Sequence, residues 1–270
     1  AVSYAVVAYQ TAYFKCHFPR EYMAALLTSV LDNSDKVSGY IGECRECGIA
    51  LLPPDINRSA DRFTVEEGGI RFGLVAIKNI GRGFIQAVMR ERETGGDFTS
   101  LYDFCSRMNG SEMNKRAVEN LIRSGAFDSM GARRSQLIKV YESVMDSVAA
   151  QQRENVEGQI DFFSMAADND EKSNSVKEIP LPDIPEYTPE ELMTMEKATT
   201  GLYLSGHPMD HYRDAVRKLH APTIVSIIED FSRENGPERF TDGQRITIAG
   251  VITSSKTKTT KNNSLMAYVM

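Results

Sequence analysis

The chain has 270 residues, of which 41% are hydrophobic, so it is long enough for more than one domain and can bury a substantial core. Its four cysteines, at positions 16, 44, 47 and 105, are too few and too scattered for a disulfide framework, which predicts a reducing compartment. We find no signal peptide and no long apolar span, so we expect a cytoplasmic protein with no membrane partner. Because residue 1 is an alanine inside a helix-like run, we also expect the chain to be part of a longer protein.

The net charge of −6 hides an uneven distribution of charge along the chain. Between Arg107 and Lys139, seven cations accompany three acids, whereas twelve acids accompany two lysines between Glu154 and Glu196. A basic block followed by an acidic block predicts a nucleic-acid-binding face followed by a solvated connector.

The first 74 residues predict three helices and a small amount of β structure. Residues 2–31 form two helices separated at Pro19, and Val37, Tyr40, Ile41 and Cys44 share one face of a third. Ile49–Leu52 predicts a short strand that ends at two prolines. Phe63–Glu66 and Ile70–Leu74 alternate around a Gly-Gly pair, which is typical of a β-hairpin.

Residues 74–92 predict a helix, a turn and a second helix. The turn, residues 76–81, contains Asn79 and Gly81, the two residue types that best tolerate a left-handed backbone. Lys78 and Arg82 flank it, so the turn is a candidate contact for a nucleic-acid phosphate. Glycine turns between helices are common, however, so a purely structural turn is the alternative.

A second candidate phosphate contact lies at the start of the next amphipathic helix. Leu101–Met108 predicts a helix capped by Thr99, and Met113–Gly131 follows with a cap at Asn114 and a stop at Gly125. Lys115 and Arg116 then lie in a first turn whose backbone N–H groups are free, which suits an anion. The alternative is a solvated basic helix start.

The long helix predicted over residues 132–151 begins with two cations. Arg133 and Arg134 oppose the dipole of their own helix, which indicates an external anion. Plain surface arginines are an equally good interpretation of this pair.

Two adjacent phenylalanines interrupt the acidic segment that follows. They belong to a short peptide of five residues: Gln159, Ile160, Asp161, Phe162 and Phe163. In a polar segment such a pair has no local core to join, so it predicts an anchor for a pocket on a partner protein.

The remainder of the chain predicts a linker, two helices and the start of a β-domain. Residues 164–187 are acidic and contain three prolines, as linkers do. A capping box at Thr188–Glu191 begins a helix that stops at Gly201, and a further helix contains Tyr212 and Leu219. Strands are predicted at 245–253 and 265–270, joined by a loop over 254–264 that contains Lys256, Lys258 and Lys261.

The sequence contains no pattern of residues that predicts catalysis or a metal site. Cys44 and Cys47 have the spacing of half a zinc site, but no second pair accompanies them, and Cys44 lies on an apolar helix face. His207 and His211 are four residues apart without a nearby carboxylate cluster. We therefore expect no catalytic residue, no metal and no cofactor in this stretch.

Seven collinear segments of the chain resemble the bacterial replicative DNA polymerase III alpha subunits. The segments are YQTAYFKCHFPREYMAALLTSV, GYIGECRECGIALLPPDINRS, IRFGLVAIKNIG, NKRAVENLIRSGAFDSMGARR, GQIDFF, GLYLSGHPMDHY and TIAGVITSSKTKTTK. Each segment alone is a weak indication, but seven in the same order are specific.

The resemblance implies a mainly α, multidomain chain. Residues 1–50 end a fingers domain, and residues 51–165 form a clamp-binding domain with tandem helix-hairpin-helix motifs and a small β-hairpin. Residues 166–240 form an acidic linker with helices, and residues 241–270 start a β OB-fold. The family's catalytic aspartates, with their Mg²⁺, lie in a palm domain upstream, so the resemblance makes the parent protein a nucleotidyltransferase and this segment inactive alone.

The resemblance also implies three partners. Duplex DNA is held by Lys78, Asn79, Gly81 and Arg82, by Asn114, Lys115 and Arg116, and by Arg133 and Arg134. The sliding clamp (beta subunit) binds Gln159–Phe163, and the OB-fold with its three lysines attracts the single-stranded template. The family usually has glycine where this chain has Asn79, and an aliphatic residue where it has Phe162.

Two other functions remain as alternatives at this point. One is a helix-hairpin-helix module of a repair or recombination protein, which need not bind a replicative clamp. The other is a protein adaptor whose basic block is only a solvated face. A steep salt dependence of duplex binding separates the adaptor from the two DNA-binding functions.

Overall fold

A computed structural model describes residues 2–31, 34–110, 113–156, 179–233, 236–252, 254–260 and 264–270. The chain divides into two compact units, Ala1–Ser205 and Gly206–Met270. The fold class predicted from the sequence, mainly helical with few small strands, is confirmed. Among the described helices, none is both long and apolar enough to cross a membrane.

Eight α-helices and three short strands make up the described part of the first unit. The helices are α1 (Val2–His17), α2 (Pro19–Ser29), α3 (Ser34–Glu46), α4 (Arg82–Gly95), α5 (Leu101–Met108), α6 (Lys115–Ser124), α7 (Arg134–Val156) and α8 (Pro189–Thr200). The strands are β1 (Leu51–Leu52), β2 (Thr64–Glu66) and β3 (Gly69–Arg71). Pro19 separates α1 from α2 and occupies the first helical position of α2, where its missing N–H costs nothing.

The three strands form one small sheet with the order β1-β3-β2. The predicted hairpin is confirmed, because β2 pairs antiparallel with β3 and places Val65 opposite Ile70. β1 adds on the other side in parallel. A Cβ atom at Gly69 would lie 2.2 Å from the Ala50 carbonyl oxygen, so only glycine allows the chain to pass there.

One continuous hydrophobic core runs through the first unit from α2 to Leu202. At its centre the ring of Phe104 makes edge-to-face contacts with Phe84, Phe98 and Phe127 at centroid separations of 6.2, 5.0 and 5.1 Å. Cys44 is buried in the same core, as predicted for a packing residue, and burial raises the pKa of its thiol to about 11.

Two of the local predictions in the first unit were wrong in detail. The first helix of the predicted pair over 74–92 is only a single 3-10 turn, Leu74–Ala76, because the chain leaves sheet strand β3 three residues earlier. The N-cap of α5 is Ser100, whose hydroxyl accepts from the Asp103 N–H, and Thr99 instead donates to the Asp103 carboxylate.

Residues 179–205 belong to the first unit and pack on its other elements, although residues up to 187 were predicted to be a linker. Ile179 and Leu181 line a small apolar cavity together with Tyr102 and Val140. The capping box of α8 is confirmed, with Thr188 and Glu191 exchanging hydrogen bonds, and Gly201 ends the helix with a left-handed φ of 80°.

The described part of the second unit contains two helices, a short 3-10 turn and a two-stranded sheet. The helices are α9 (Arg213–Lys218) and α10 (Ile224–Phe231), and the strands are β4 (Ser255–Thr259) and β5 (Leu265–Val269). The prediction of a strand at 245–253 was wrong for the described residues 245–252, and β4 occupies part of the predicted loop. β4 consists of a serine followed by alternating lysines and threonines, so both of its faces are polar. It therefore lacks the alternation of apolar and polar residues by which a strand is predicted from sequence.

Candidate nucleic-acid interface

The first hairpin, residues 77–81, joins the 3-10 turn to α4. Asn79 is the residue with a left-handed backbone, at φ 61°, whereas Gly81 is extended and forms the N-cap of α4. Arg82 is the first residue of that helix. Its side chain is exposed and makes no ion pair or hydrogen bond with any described residue.

The second hairpin connects α5 to α6 through Gly110, whose φ of 84° only glycine adopts easily. Asn114 caps α6 as predicted, and its side chain accepts a hydrogen bond of 2.9 Å from the Ala117 N–H. Arg116, in the first turn of α6, is exposed and has no partner within the described ranges. Each hairpin is therefore followed by a helix whose first turn contains an arginine with no partner among the described residues.

Asn120 places the two hairpins side by side. It lies one turn after Arg116, on the same face of α6. Its side-chain amide donates a hydrogen bond of 2.8 Å to the Lys78 carbonyl oxygen in the first hairpin. The face of α6 that carries Arg116 thus adjoins the turn that carries Arg82.

Lys78 and Lys115, the two lysines of the predicted contacts, have partners within the chain. The Lys78 ammonium donates to the Ala198 carbonyl oxygen at 3.1 Å. The Lys115 ammonium lies 3.0 Å from an oxygen of Asp146 and 3.8 Å from one of Glu142, both on α7. The hydrogen bond that Lys115 donates to Asp146 is the largest cause of the raised pKa of Lys115.

Arg134 lies in the interior, which removes it from the predicted DNA-binding surface. Its side chain is 7% exposed and bonds to two carboxylates, Asp128 at 2.6 Å and Glu196 at 3.1 Å. Burial lowers the pKa of this guanidinium, but the hydrogen bond and charge of Asp128 and the charge of Glu196 raise it by more. Arg133 stays half-exposed and donates to the Ile184 carbonyl oxygen at 2.7 Å.

The two arginines predicted an external anion at the start of α7, but the anion that the structure places there is Glu186 of the chain itself. Its carboxylate accepts hydrogen bonds from the backbone N–H groups of Arg134 and Ser135, at 2.7 and 3.0 Å, and thereby caps α7. Burial raises the pKa of Glu186, but the backbone donors of Tyr187, Ser135 and Arg134 outweigh it and hold the pKa below its ordinary value.

The sequence analysis missed Glu186, Glu196 and Asp128 as structural partners. Glu196 is 1% exposed, and its second oxygen accepts from the backbone N–H groups of Leu204 and Ser205. Glu186 and Glu196 lie more than 50 residues beyond Arg134, inside a block whose acidic composition predicts solvation. No local pattern indicates that they fold back.

Two of the three lysines predicted for single-stranded DNA lie on β4 in the second unit. Lys256 and Lys258 are exposed and pair in register with Tyr268 and Met266 of β5. The Lys258 ammonium lies 5.8 Å from the centre of the Tyr268 ring. Lys261 and the predicted clamp peptide Gln159–Phe163 lie outside the described residues.

No three His, Cys, Asp or Glu side chains come together as a metal site in the part of the chain that the structure describes. His207, which the sequence placed four residues from His211, has its ring Nδ1 bonded to the backbone N–H of Met209. A cleft with a volume of about 800 Å³ lies between α2 and the start of α4, with Arg82 on its wall.

Comparison with known proteins identifies relatives over nearly the whole chain. Residues 48–137 match the family described as "Helix-hairpin-helix motif". The chain is 38% identical over 275 residues to the DNA polymerase III subunit alpha of Saccharopolyspora erythraea, covering 100% of this chain and 22% of that protein. It is 35% identical over 265 residues to that of Vibrio cholerae, covering 98% and 22%, and 37% identical over 269 residues to that of Deinococcus radiodurans, covering 99% and 20%.

These matches confirm the resemblance predicted from the seven motifs. The chain spans about a fifth of the length of the relatives it matches. The helix-hairpin-helix match includes both hairpins but ends before α8, so the segment that packs against the first hairpin lies beyond it.

Proposed function

We propose that this chain, which is homologous over nearly its whole length to part of the bacterial DNA polymerase III alpha subunits, holds duplex DNA by its phosphates without reading the base sequence. The observation that supports this most strongly is the pair of adjacent hairpins, each followed by an exposed arginine that has no partner in the part of the chain that the structure describes. An unpaired guanidinium at a helix start can bond a phosphate oxygen together with free backbone N–H groups.

The phosphate contacts of this proposal are Arg82 and Arg116, supported by Asn79, Gly81 and Asn114 in the turns. Lys115 contributes less, because its ammonium is already ion-paired with Asp146 and Glu142 in the absence of DNA. Arg133 is a peripheral contact at most, since its guanidinium already donates to the Ile184 carbonyl oxygen. Contacts to phosphate oxygens carry no sequence information, so we expect this binding to be independent of the base sequence.

The salt dependence of duplex binding tests the proposal. In the 270-residue chain, Arg82→Ala with Arg116→Ala should make the negative slope of log K against log salt shallower by about two. The reason is that roughly 0.9 counterions are released per phosphate contact. Lys115→Ala should change the slope by less than half of the amount expected for the loss of one phosphate contact. Fluorescence anisotropy with duplexes of two unrelated sequences, across a salt series, gives these slopes.

Arg58→Ala is the matched control, since Arg58 is an exposed arginine of the same unit outside both hairpins. It should leave the slope unchanged. An unchanged slope in the Arg82 and Arg116 double variant excludes these residues from the DNA surface. A loss of affinity for one duplex sequence only would contradict binding through phosphates.

The longer protein of which such a segment forms part is proposed to be a DNA-directed DNA polymerase tethered to a sliding clamp. Gln159–Phe163 is the proposed clamp-binding peptide, and Lys256, Lys258 and Lys261 are proposed to attract single-stranded DNA to the second unit. We expect the 270-residue chain alone to incorporate no nucleotide in the presence of Mg²⁺ and a primed template. Extension of the primer by a homogeneous preparation would contradict that assignment.

A further inference from the structure

We infer that Lys78 is a positioning residue, which fixes the first hairpin against α6 and α8, and that it is not one of the phosphate contacts. All of its polar groups have partners outside the hairpin. Its backbone N–H donates to the Thr199 carbonyl oxygen at 2.9 Å, and its ammonium donates to Ala198 at 3.1 Å. Its own carbonyl oxygen accepts from Asn120 at 2.8 Å.

The chemistry at the end of α8 explains why a lysine serves here. The last carbonyl groups of a helix have no N–H partner within the helix and carry its negative dipole end. Lys78 supplies both a backbone donor and a cation to two consecutive carbonyls in the last turn of α8. The hairpin and the helix end therefore satisfy each other, 120 residues apart in sequence.

A second set of contacts makes α8 a firm support for the hairpin. Glu196, in the middle of α8, is buried and pairs with Arg134 at the start of α7. Gly201 follows with a left-handed backbone, and the chain then returns so that Leu204 and Ser205 bond to the same glutamate. A helix fixed in this way holds its C-terminal carbonyls in one place.

Arg82 shows the contrast, four residues after Lys78. Its side chain is exposed and unpaired among the described residues, so it is available to a phosphate. The position of Arg82 depends on the preceding turn, and that turn depends on Lys78 and Asn120. The inference rests on the proposed function, because it assigns roles within the proposed DNA grip.

Two substitutions separate positioning from phosphate contact. Asn120→Ala removes one hydrogen bond to the hairpin and leaves every charge in place. Lys78→Met keeps the aliphatic stem and removes the ammonium. In the 270-residue chain, each should weaken duplex binding by roughly threefold to tenfold, the effect of one lost hydrogen bond, without changing the salt slope. Arg82→Ala is the comparison, and it should make the negative salt slope shallower by about one.

Amide hydrogen exchange provides a readout that does not depend on DNA. Asn120→Ala should accelerate exchange in residues 76–82 and leave exchange in the second half of α7 unchanged. Since Lys78 and Asn120 both lie at the surface, circular dichroism should show both variants folded.

Three results would overturn the inference: a slope that falls by about one in Lys78→Met, wild-type duplex binding by Asn120→Ala, or unchanged exchange of the hairpin. If the wild-type chain shows no salt-dependent duplex binding, the proposed function fails, and the exchange measurement still decides whether Lys78 and Asn120 hold the hairpin.

Discussion

Arg134 shows that a cation in a basic block can belong to the interior. Its guanidinium is enclosed by Asp128 and Glu196, and Glu196 is itself 1% exposed. Removal of one partner of a buried pair leaves the other charge without compensation, which costs more than the pair contributes. The side chain of the neighbouring Arg133 is exposed, and its ion pair with Asp183, at 3.4 Å, lies at the surface.

Arg134→Ala should therefore lower the free energy of unfolding by about 3–5 kcal/mol, because it strands the buried carboxylate of Glu196. Arg133→Ala is the matched control one residue away, and it should cost no more than about 1 kcal/mol. Urea unfolding of the 270-residue chain, followed by circular dichroism at neutral pH, measures both. Equal losses in the two variants would show that the buried network does not stabilise the first unit.

Sequence reasoning identified where cations gather but not which of them stay free. The predicted contacts Arg82 and Arg116 are exposed and unpaired within the described residues, whereas Lys115 bonds Asp146 and Arg134 is buried. The difference depends on carboxylates 31 and 62 residues away, which approach only in the folded chain. Charge counts along a sequence contain no information on such long-range pairing.

At the scale of elements, local signals predicted the helices well. Asn114 and Gly125 mark the ends of α6, and the capping box and Gly201 mark those of α8, because caps satisfy backbone groups within a few residues. The helix α10, the polar strand β4 and the cap of α5 were missed. Strand pairing depends on a partner elsewhere in the chain, and Thr99 and Ser100 have equal capping chemistry.

The start of α7 is capped by Glu186, which lies 52 residues after Arg134 in the sequence. Glu186 accepts from two N–H groups of the first turn, which an N-cap side chain usually satisfies. Gln136 and Arg133 add hydrogen bonds to the carbonyl oxygens of Pro182 and Ile184. Residues 179–187 therefore support α7 along its first turn, and the support depends on an ionised carboxylate.

The stability of the first unit should depend on pH through Glu186. Its pKa is lowered on folding, so its contribution is fully present above the ordinary value near 4.5 and is lost as the pH falls through the folded value. Glu186→Gln should lower the free energy of unfolding by about 1 kcal/mol at pH 7, the usual worth of a helix cap. The difference in the free energy of unfolding between Glu186→Gln and the wild type should become smaller below pH 4.5.

Asp183→Asn is the control for this effect, because Asp183 is a fully exposed acid in the same stretch. It should change the free energy of unfolding little at either pH. Urea unfolding at pH 7 and at several values below pH 4.5 gives the comparison. A Glu186→Gln difference that stays constant across this range would exclude the carboxylate as the titrating group.

At the scale of the whole molecule, the two hairpins and both flanks of the proposed clamp peptide belong to one unit. α7 ends at Val156, and the described chain resumes at Ile179, which lines a cavity beside the same helix. Gln159–Phe163 lies between these two points, outside the described residues. A partner bound to that peptide is therefore connected to the hairpins through the first unit, independently of Gly206–Met270.

The last prediction concerns this peptide. Phe162→Ala with Phe163→Ala should abolish binding of the 270-residue chain to the sliding clamp from the same source and leave its duplex affinity unchanged. Burial of one such side chain is worth roughly 1.5–3 kcal/mol before ordering costs, so two phenylalanines supply about 3–6 of the roughly 8 kcal/mol that a micromolar affinity requires. The other residues of the peptide supply the remainder, so we expect an affinity no tighter than about micromolar. Such weak binding suffices when DNA passes through the clamp and the same unit grips that DNA, because tethering raises the effective concentration.

Surface plasmon resonance against the immobilised clamp measures this binding, and anisotropy measures the duplex affinity of the same samples. Met165→Ala is the control, because Met165 is an apolar residue two positions beyond the peptide in the same acidic segment. It should bind the clamp as wild type does. Clamp binding retained by the double phenylalanine variant would place the clamp contact elsewhere in the chain. Duplex affinity lost together with clamp binding would show that the two functions share a surface, contrary to an arrangement in which the hairpins hold DNA and the peptide holds the clamp.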